Sequence, residues 1–299
     1  MTMDAELLAR AVLKIAHQDG DYLTQIPALR VYRRSQVSAP MPCIYGLGLG
    51  IAVQGAKRVT LGSDIFDYSV NQSLVTSIDV PVVAHVTQAS VDEPYLGVWL
   101  DLDARVISQL VSEMEFVRDL KPGSARALSV VDLDKNLLDA LCRLIRLLDE
   151  PALLPTLAPL IQQEITLRLL HGAHGPILRH LVTIGSPGQQ VARVISWLKL
   201  NFTQDVLVDD LAAKAHMSAS TFRQHFRAVT GMSPLQYIKN LRLQEARQLM
   251  MNDSLDASSA AVQVGYESAS QFSREYTRLF GAPPLRDVKN FRVGDIAGK

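Results

Sequence analysis

Four side chains in the stretch SASTFRQHFRAVTG could do chemistry together: Ser220, Arg223, Gln224 and Arg227. Read as a helix, they fall at i, i+3, i+4 and i+7 and share one face, while Phe222, Phe226 and Val229 share the other. Short hydroxyl, guanidinium, amide and guanidinium are the groups that match base edges and phosphates, arginine pairing with guanine O6/N7 and glutamine with adenine N6/N7. Ser218 is placed to cap the first turn.

The chain carries this arrangement twice. SASTFRQHF at 218–226 is echoed by SASQFSREY at 268–276, and Gly231, Pro234 and Leu235 return as Gly281, Pro284 and Leu285. A fixed-period echo marks one supersecondary unit used twice. In the second copy Phe272, Tyr276 and Leu279 take the inner face, and Ser270, Gln271, Arg274 and Arg278 turn outward. Upstream, VDDLAAKAH and DASSAAVQV are short helices, with turns at Ala215–Met217 and Gly265, so each copy is a helix-turn-helix. Between them SPLQYIKNLRLQEARQLMM is one helix with Ser233 as N-cap and Pro234 at N1. About 16 residues at 1.5 Å each give a spacer of roughly 24 Å. With the width of the units added, two reading helices could sit about one DNA turn apart, near 34 Å.

The elements that must position these units differ along the chain. Residues 24 to about 103 read as strands: Phe66, Tyr68 and Val70 alternate with Asp67 and Ser69, and Val82, Ala84 and Val86 with Val83, His85 and Thr87. Closely spaced turn signals make this a sandwich or small barrel. Periodicity turns helical near Asp103, a candidate N-cap, and stays so in DKNLLDALCRLIRLLDE and PTLAPLIQQEITLRLLHG. Leu138, Leu141, Ile145 and Leu148 form a seam that packs on its own barrel or pairs two subunits. IGSPGQQ, 184–190, reads as a linker, and from there the chain is helical to about 290. Val191, Val194, Ile195 and Leu198 open that region as one apolar stripe, with Trp197 in the core.

Bulk properties bound the function. The 299 residues suit two domains, and the net charge of zero hides an asymmetry. Residues 1–185 hold 16 basic against 20 acidic side chains and residues 186–299 hold 14 against 10, so the second part is mildly basic, as for an anionic partner. MTMDAELLAR lacks the apolar region of a signal peptide, and no apolar run approaches the ~20 residues of a membrane span. Cys43 and Cys142 form no disulfide framework, so the reading is a reduced, cytoplasmic protein with no membrane partner.

The pair of units, LAAKAHMSASTFRQHFRAVTGMSPLQYIKNLRLQEARQLM followed by VGYESASQFSREYTRLFGAPP, resembles the DNA-binding domain of the AraC/XylS family of transcriptional regulators. PCIYGLGLGIAVQGAKRVTLG and PYLGVWLDLD resemble the cupin-like effector domain of one branch of that family. The resemblance implies an α+β chain. Its residues 1–184 would be a cupin-like ligand-sensing domain (barrel about 24–103, dimerisation helices about 103–184). Residues 190–299 would be an all-α DNA-binding domain of two helix-turn-helix units joined by a long helix. By matching position, Ser220, Arg223 and Gln224 in the first unit and Ala269, Ser270, Gln271 and Arg274 in the second would read bases. Arg227, Lys239 and Arg278 would meet phosphates. Many family members carry Tyr and Arg soon after the second Gly-x-x-Pro where this chain has Asp287 and Val288, which bears on how the last helix meets the DNA backbone. The expected partners are double-stranded promoter DNA, a small-molecule effector, a second copy of the chain and RNA polymerase. Either the effector acts through the barrel, or the barrel serves dimerisation alone with no effector.

Cupin-like barrels are often metal enzymes, but such sites need two or three His with a carboxylate, and this barrel region offers only His85, so neither an enzyme nor a cofactor or metal is expected. His171 and His174 in HGAHG have metal-like spacing without a Cys or Glu partner, and a helix terminus accounts for them. Asp101 and Asp103 read as a strand end leading to a helix cap. Cys43, Tyr45, His85, Tyr95 and Trp99 are the candidate ligand-binding residues. Cys43 has two readings: a reactive sensor thiol near a pocket mouth, or a small buried hydrophobe.

Overall fold

The computed structural model describes residues 3–114, 126–183 and 185–296. A helix, α1 (Met3–Ile15), precedes nine strands: β1 (Gly20–Leu23), β2 (Leu29–Arg34), β3 (Met41–Tyr45), β4 (Gly48–Gln54), β5 (Ala56–Leu61), β6 (Asp64–Ser69), β7 (Gln72–Thr76), β8 (Val80–Gln88) and β9 (Tyr95–Asp101). After α2 (Ala104–Glu113) a tenth strand, β10 (Leu128–Asp132), returns to the sheet. Helices α3 (Lys135–Arg146), α4 (Leu154–His171), α5 (Gly175–Val182) and α6 (Pro187–Asn201) lead to the repeated units. These comprise α7 (Val208–Lys214), α8 (Ala219–Thr230), α9 (Pro234–Asn252), α10 (Ala257–Gln263), α11 (Ala269–Phe280) and α12 (Pro284–Ile296).

The strands form two antiparallel sheets, one ordered β1-β2-β9-β4-β7-β10 and the other β3-β8-β5-β6. Strand β4, GLGIAVQ, sits between β9 and β7 and is buried almost throughout, as a central strand covered on both faces must be. Its glycines make room for an indole. A Cβ on Gly48 would lie 2.6 Å from Trp99 Cζ2, and one on Gly50 3.2 Å from Trp99 Cε3. One apolar core lies between the six-stranded sheet and α1 to α5. A second fills the space between the sheets and continues without a break into α6, α7, α8 and α9. The second helix-turn-helix unit has a core of its own.

One expectation is corrected here. The segment expected to be a linker is a helix start: Ser186 accepts the Gln189 N–H, Pro187 takes N1, and both lead directly into α6. Neither β10 nor α1 was expected. β10 pairs with β7 some fifty residues earlier, a contact that no local pattern announces. Of the two readings of the seam, Leu138, Leu141 and Ile145 follow the inward one: all three are buried in that first core, where α3 lies against α1 and α4. Four exposed leucines lie on or beside α4: Leu153, Leu157, Leu160 and Leu167.

Candidate nucleic-acid interface and effector cavity

The caps and turns that set the reading helices are local and specific. Ser218 accepts the Thr221 N–H and Ser268 the Gln271 N–H, and Gly231 and Gly281 close the two helices at φ +73° and +77°. The turn before α8 passes through His216 at φ +53°, and the turn before α11 through Gly265 at φ +87°. A Cβ at Gly265 would meet Thr203 O at 2.3 Å, so glycine is required there. The second turn is one residue longer: the leading helices start at 208 and 257, the reading helices at 219 and 269.

With the helices so held, Phe222, Phe226, Phe272 and Tyr276 are almost fully buried, each in ring contact with a neighbour. The opposite faces are open. Ser220, Arg223, Gln224 and Arg227 are exposed on α8, and Ala269, Ser270, Gln271, Arg274 and Arg278 are exposed on α11. Among the described residues Arg227, Arg274 and Arg278 carry no ion pair, while Arg223 lies 3.9 Å from Asp209. Lys239 is exposed but engaged, its Nζ 2.7 Å from Glu275. Glu275 also accepts from Tyr266 Oη at 2.8 Å and Gln271 Nε2 at 3.2 Å. Burial pushes the Glu275 carboxyl up, but hydrogen bonds from Lys239, Tyr266 and Gln271 outweigh it and hold the group below its usual range. This carboxylate, tying α9 to α11, was not singled out from sequence; a Glu on the inner-facing flank of a recognition helix was the available signal.

Asp287 and Val288 have a structural explanation. Asp287 receives Arg247 Nε at 2.8 Å and Nη2 at 3.1 Å together with Tyr276 Oη at 2.8 Å, and Arg247 lies 4.7 Å over the Phe280 ring. Val288 is buried. The departure from the family pattern therefore latches α12 onto α9 and α11.

The β-sheet part holds a cavity of about 400 Å³. Its wall includes Cys43, Tyr45, Tyr95 and Trp99, and it is bordered by His85 and, from α9, Gln248. The register pairs Arg58 with His85 and Lys57 with Val86, so His85 shares the strand face of Arg58, at the cavity's border, with its Nδ1 buried and without a hydrogen-bond partner among the described residues. Lys57 was not singled out from sequence, although it shares its strand face with Val59 and Leu61, both buried. Burial pushes the Cys43 thiol up to about 11, and the opposing pull of Lys57 and Arg247 is smaller. A thiol so held stays protonated near neutral pH, which favours the apolar-packing reading over the reactive one.

His174 is buried between Ser73 Oγ at 2.9 Å and Ser129 Oγ at 2.6 Å, joining β7 to β10. Burial lowers its pKa to about 4, with Ser73 opposing. Asp103 caps α2 by accepting the Arg105 N–H at 2.8 Å, and Asp101 accepts from Trp99 Nε1 at 2.7 Å. Among the described residues no three His, Cys, Asp or Glu side chains are grouped to hold a metal ion.

A family model described as the AraC-type transcriptional regulator N-terminus matches residues 25–177, just over half of the chain. This chain belongs to the AraC family. A helix-turn-helix domain model matches 211–290, from α7 into α12. Among curated relatives, the RCS-specific HTH-type transcriptional activator RclR of Escherichia coli is 44% identical over 61 residues, which are 20% of this chain and 22% of RclR. The next three relatives are matched over 27%, 27% and 41% of their length, so the chain spans between a fifth and two fifths of these proteins. The virulence regulon transcriptional activator VirF of Yersinia enterocolitica is 24% identical over 231 residues, 74% of this chain and 81% of VirF. Among solved structures, wild-type ToxT of Vibrio cholerae with an unsaturated fatty acid bound is similar at a TM-score of 0.57 and 11% identity, over 87% of this chain and 94% of ToxT. That likeness shows the α+β fold.

Proposed function

We propose that this AraC-family chain is a sequence-specific regulator of transcription that reads double-stranded promoter DNA. Helices α8 and α11 would enter successive major-groove segments. One observation carries this: two copies of one unit each bury an aromatic face and expose a face of Ser, Arg and Gln. Ser220, Arg223, Gln224, Ala269, Ser270, Gln271 and Arg274 would reach base edges, and Arg227 and Arg278 phosphates. Lys239 would reach a phosphate only by leaving Glu275. Helix α9, at 19 residues, spans roughly 28 Å and separates the two readers.

Residues 1–184 would sense a small molecule in the barrel cavity and pair two copies, and 190–299 would bind DNA, with RNA polymerase as a further partner. Among the described residues no helix is long and apolar enough to cross a membrane, which fits a cytoplasmic regulator. The exposed leucines on and beside α4 support dimerisation, and would do so equally if the barrel bound no effector. Selection from random duplex DNA with the full chain tests the DNA reading: enrichment of two half-motifs about 10 bp apart is expected. Recovery of unrelated sequences would refute it.

A further inference from the structure

Lys57 lies inside the fold, its ammonium among aromatic rings. Its register partners are Tyr68 on β6 and Val86 on β8, which sets it on the inner face of β5, while neighbouring Arg58 points out to Asp67. The ammonium lies 5.4, 5.8 and 6.0 Å from the ring centroids of Tyr45, Tyr32 and Tyr95. These rings hold the positive charge by their π faces, but burying an ammonium remains costly without a paired anion. Burial, the largest cause, lowers its pKa.

The other charges at the cavity are already matched. Arg34 takes Asp21, and Arg30 takes Asp101, which also receives the Trp99 indole. Among the described residues no carboxylate pairs with Lys57, so the wall carries one uncompensated positive charge. Two more donors on the same wall, Tyr45 Oη and Arg30 Nε, are buried without a hydrogen-bond partner among the described residues. The cavity thus offers an ammonium flanked by groups that can donate, while the carboxylate in its lining, Asp21, is held by Arg34. A polyol would find a partner in the Tyr45 hydroxyl but would leave the Lys57 charge without a counter-ion. A cation would meet the tethered one.

We infer that this cavity takes an organic monocarboxylate with a flat apolar body, of roughly 10 to 15 non-hydrogen atoms. The carboxylate would pair with Lys57 Nζ and accept from Tyr45 Oη, and the body would lie against the rings of Tyr45 and Trp99, themselves 4.9 Å apart. This deepens the reading of the barrel as an effector domain and rests on it. Gln248 of α9 borders the same cavity, so an occupant would touch the helix that joins the two readers.

The test is calorimetric titration of the full chain with 4-phenylbutyrate and with its uncharged amide, 4-phenylbutyramide. The wild type should bind the acid about 10- to 100-fold tighter than the amide. Lys57→Met should erase that preference while leaving amide affinity in place, and Lys57→Arg should keep most of it. Without ligand, Lys57→Met should melt no lower than the wild type, since it removes an unpaired buried charge. Equal binding of acid and amide by the wild type, an unchanged preference in Lys57→Met, or a large loss of its melting temperature would each overturn the inference. If neither probe binds but myo-inositol or choline does, the charge assignment fails and the effector domain stands. If none of the four binds, both fail.

Discussion

Arg223 and Arg227 are one helical turn apart on α8, yet they should behave differently when truncated. Arg223→Ala is expected to relax base preference at one position at a cost of about 1–3 kcal/mol. Arg227→Ala should weaken all sequences alike and flatten the dependence of log affinity on log salt by about one unit. Titrations at several salt concentrations on matched and mismatched duplexes check both, and the reverse pattern would mean the faces are misassigned. His174 makes a separate claim about acid stability. Its pKa in the folded chain, about 4, is below the usual ~6.5, so between these values the unfolded chain binds more protons. Its contribution is therefore full above about pH 6.5 and is lost as pH falls toward 4, by about 3 kcal/mol in all. Urea midpoints measured from pH 7 to 4.5 should fall more steeply for the wild type than for His174→Gln; parallel curves would count against the account.

Helices and strands differ in how much of themselves the sequence discloses. In α8 and α11 the inner and outer faces are set by spacing within twelve residues, so Phe222, Phe226, Phe272 and Tyr276 were assigned correctly from periodicity alone. The caps at Asp103, Ser218 and Ser233 were legible for the same reason. The sheets were legible only as strands, because which strand lies beside which is decided by contacts far apart in sequence. That is why β10 was missed and why alternation could not say that His85 shares a face with Arg58 and not with Lys57. Cys43, Tyr45, Tyr95 and Trp99 line one cavity, and Lys57, Tyr32 and Arg30 enter it through pairings of β2, β5, β8 and β9 that only the fold provides. At this scale the latch of α12 is testable. The side chains of Arg247 and Asp287 are only 11% and 13% exposed, so Asp287→Ala, which takes the carboxylate from a buried guanidinium and from Tyr276 Oη, should destabilise the second unit by about 3 kcal/mol. A melt shifted by less than a degree would show the latch to be unimportant.

Across the whole molecule the first helix-turn-helix unit is built onto the barrel, whereas the second has its own core. Tyr237 Oη donates to Asp79 O at 2.8 Å, Lys199 Nζ lies 2.7 Å from the Asp79 carboxylate, and the Ala127 N–H donates to Val229 O at 3.0 Å. At Gly62 the backbones touch: an added Cβ would lie 2.4 Å from Gly231 O, at the C-terminus of the reading helix α8. Gly62→Val should therefore force the β5–β6 turn away from α8, raising protease access at residues 231–233 while the second unit stays protected; unchanged cleavage would argue against a tight seat. The central claim is that α8 and α11 read one duplex at two neighbouring positions. Its most direct measurement is quantitative footprinting of the selected duplex with the wild type, Arg223→Ala and Arg274→Ala. Each variant is expected to lose base preference in a different half-motif, the two about 10 bp apart, with the other half unchanged. Loss at the same base pairs in both variants, or a uniform loss across the site, would contradict the claim.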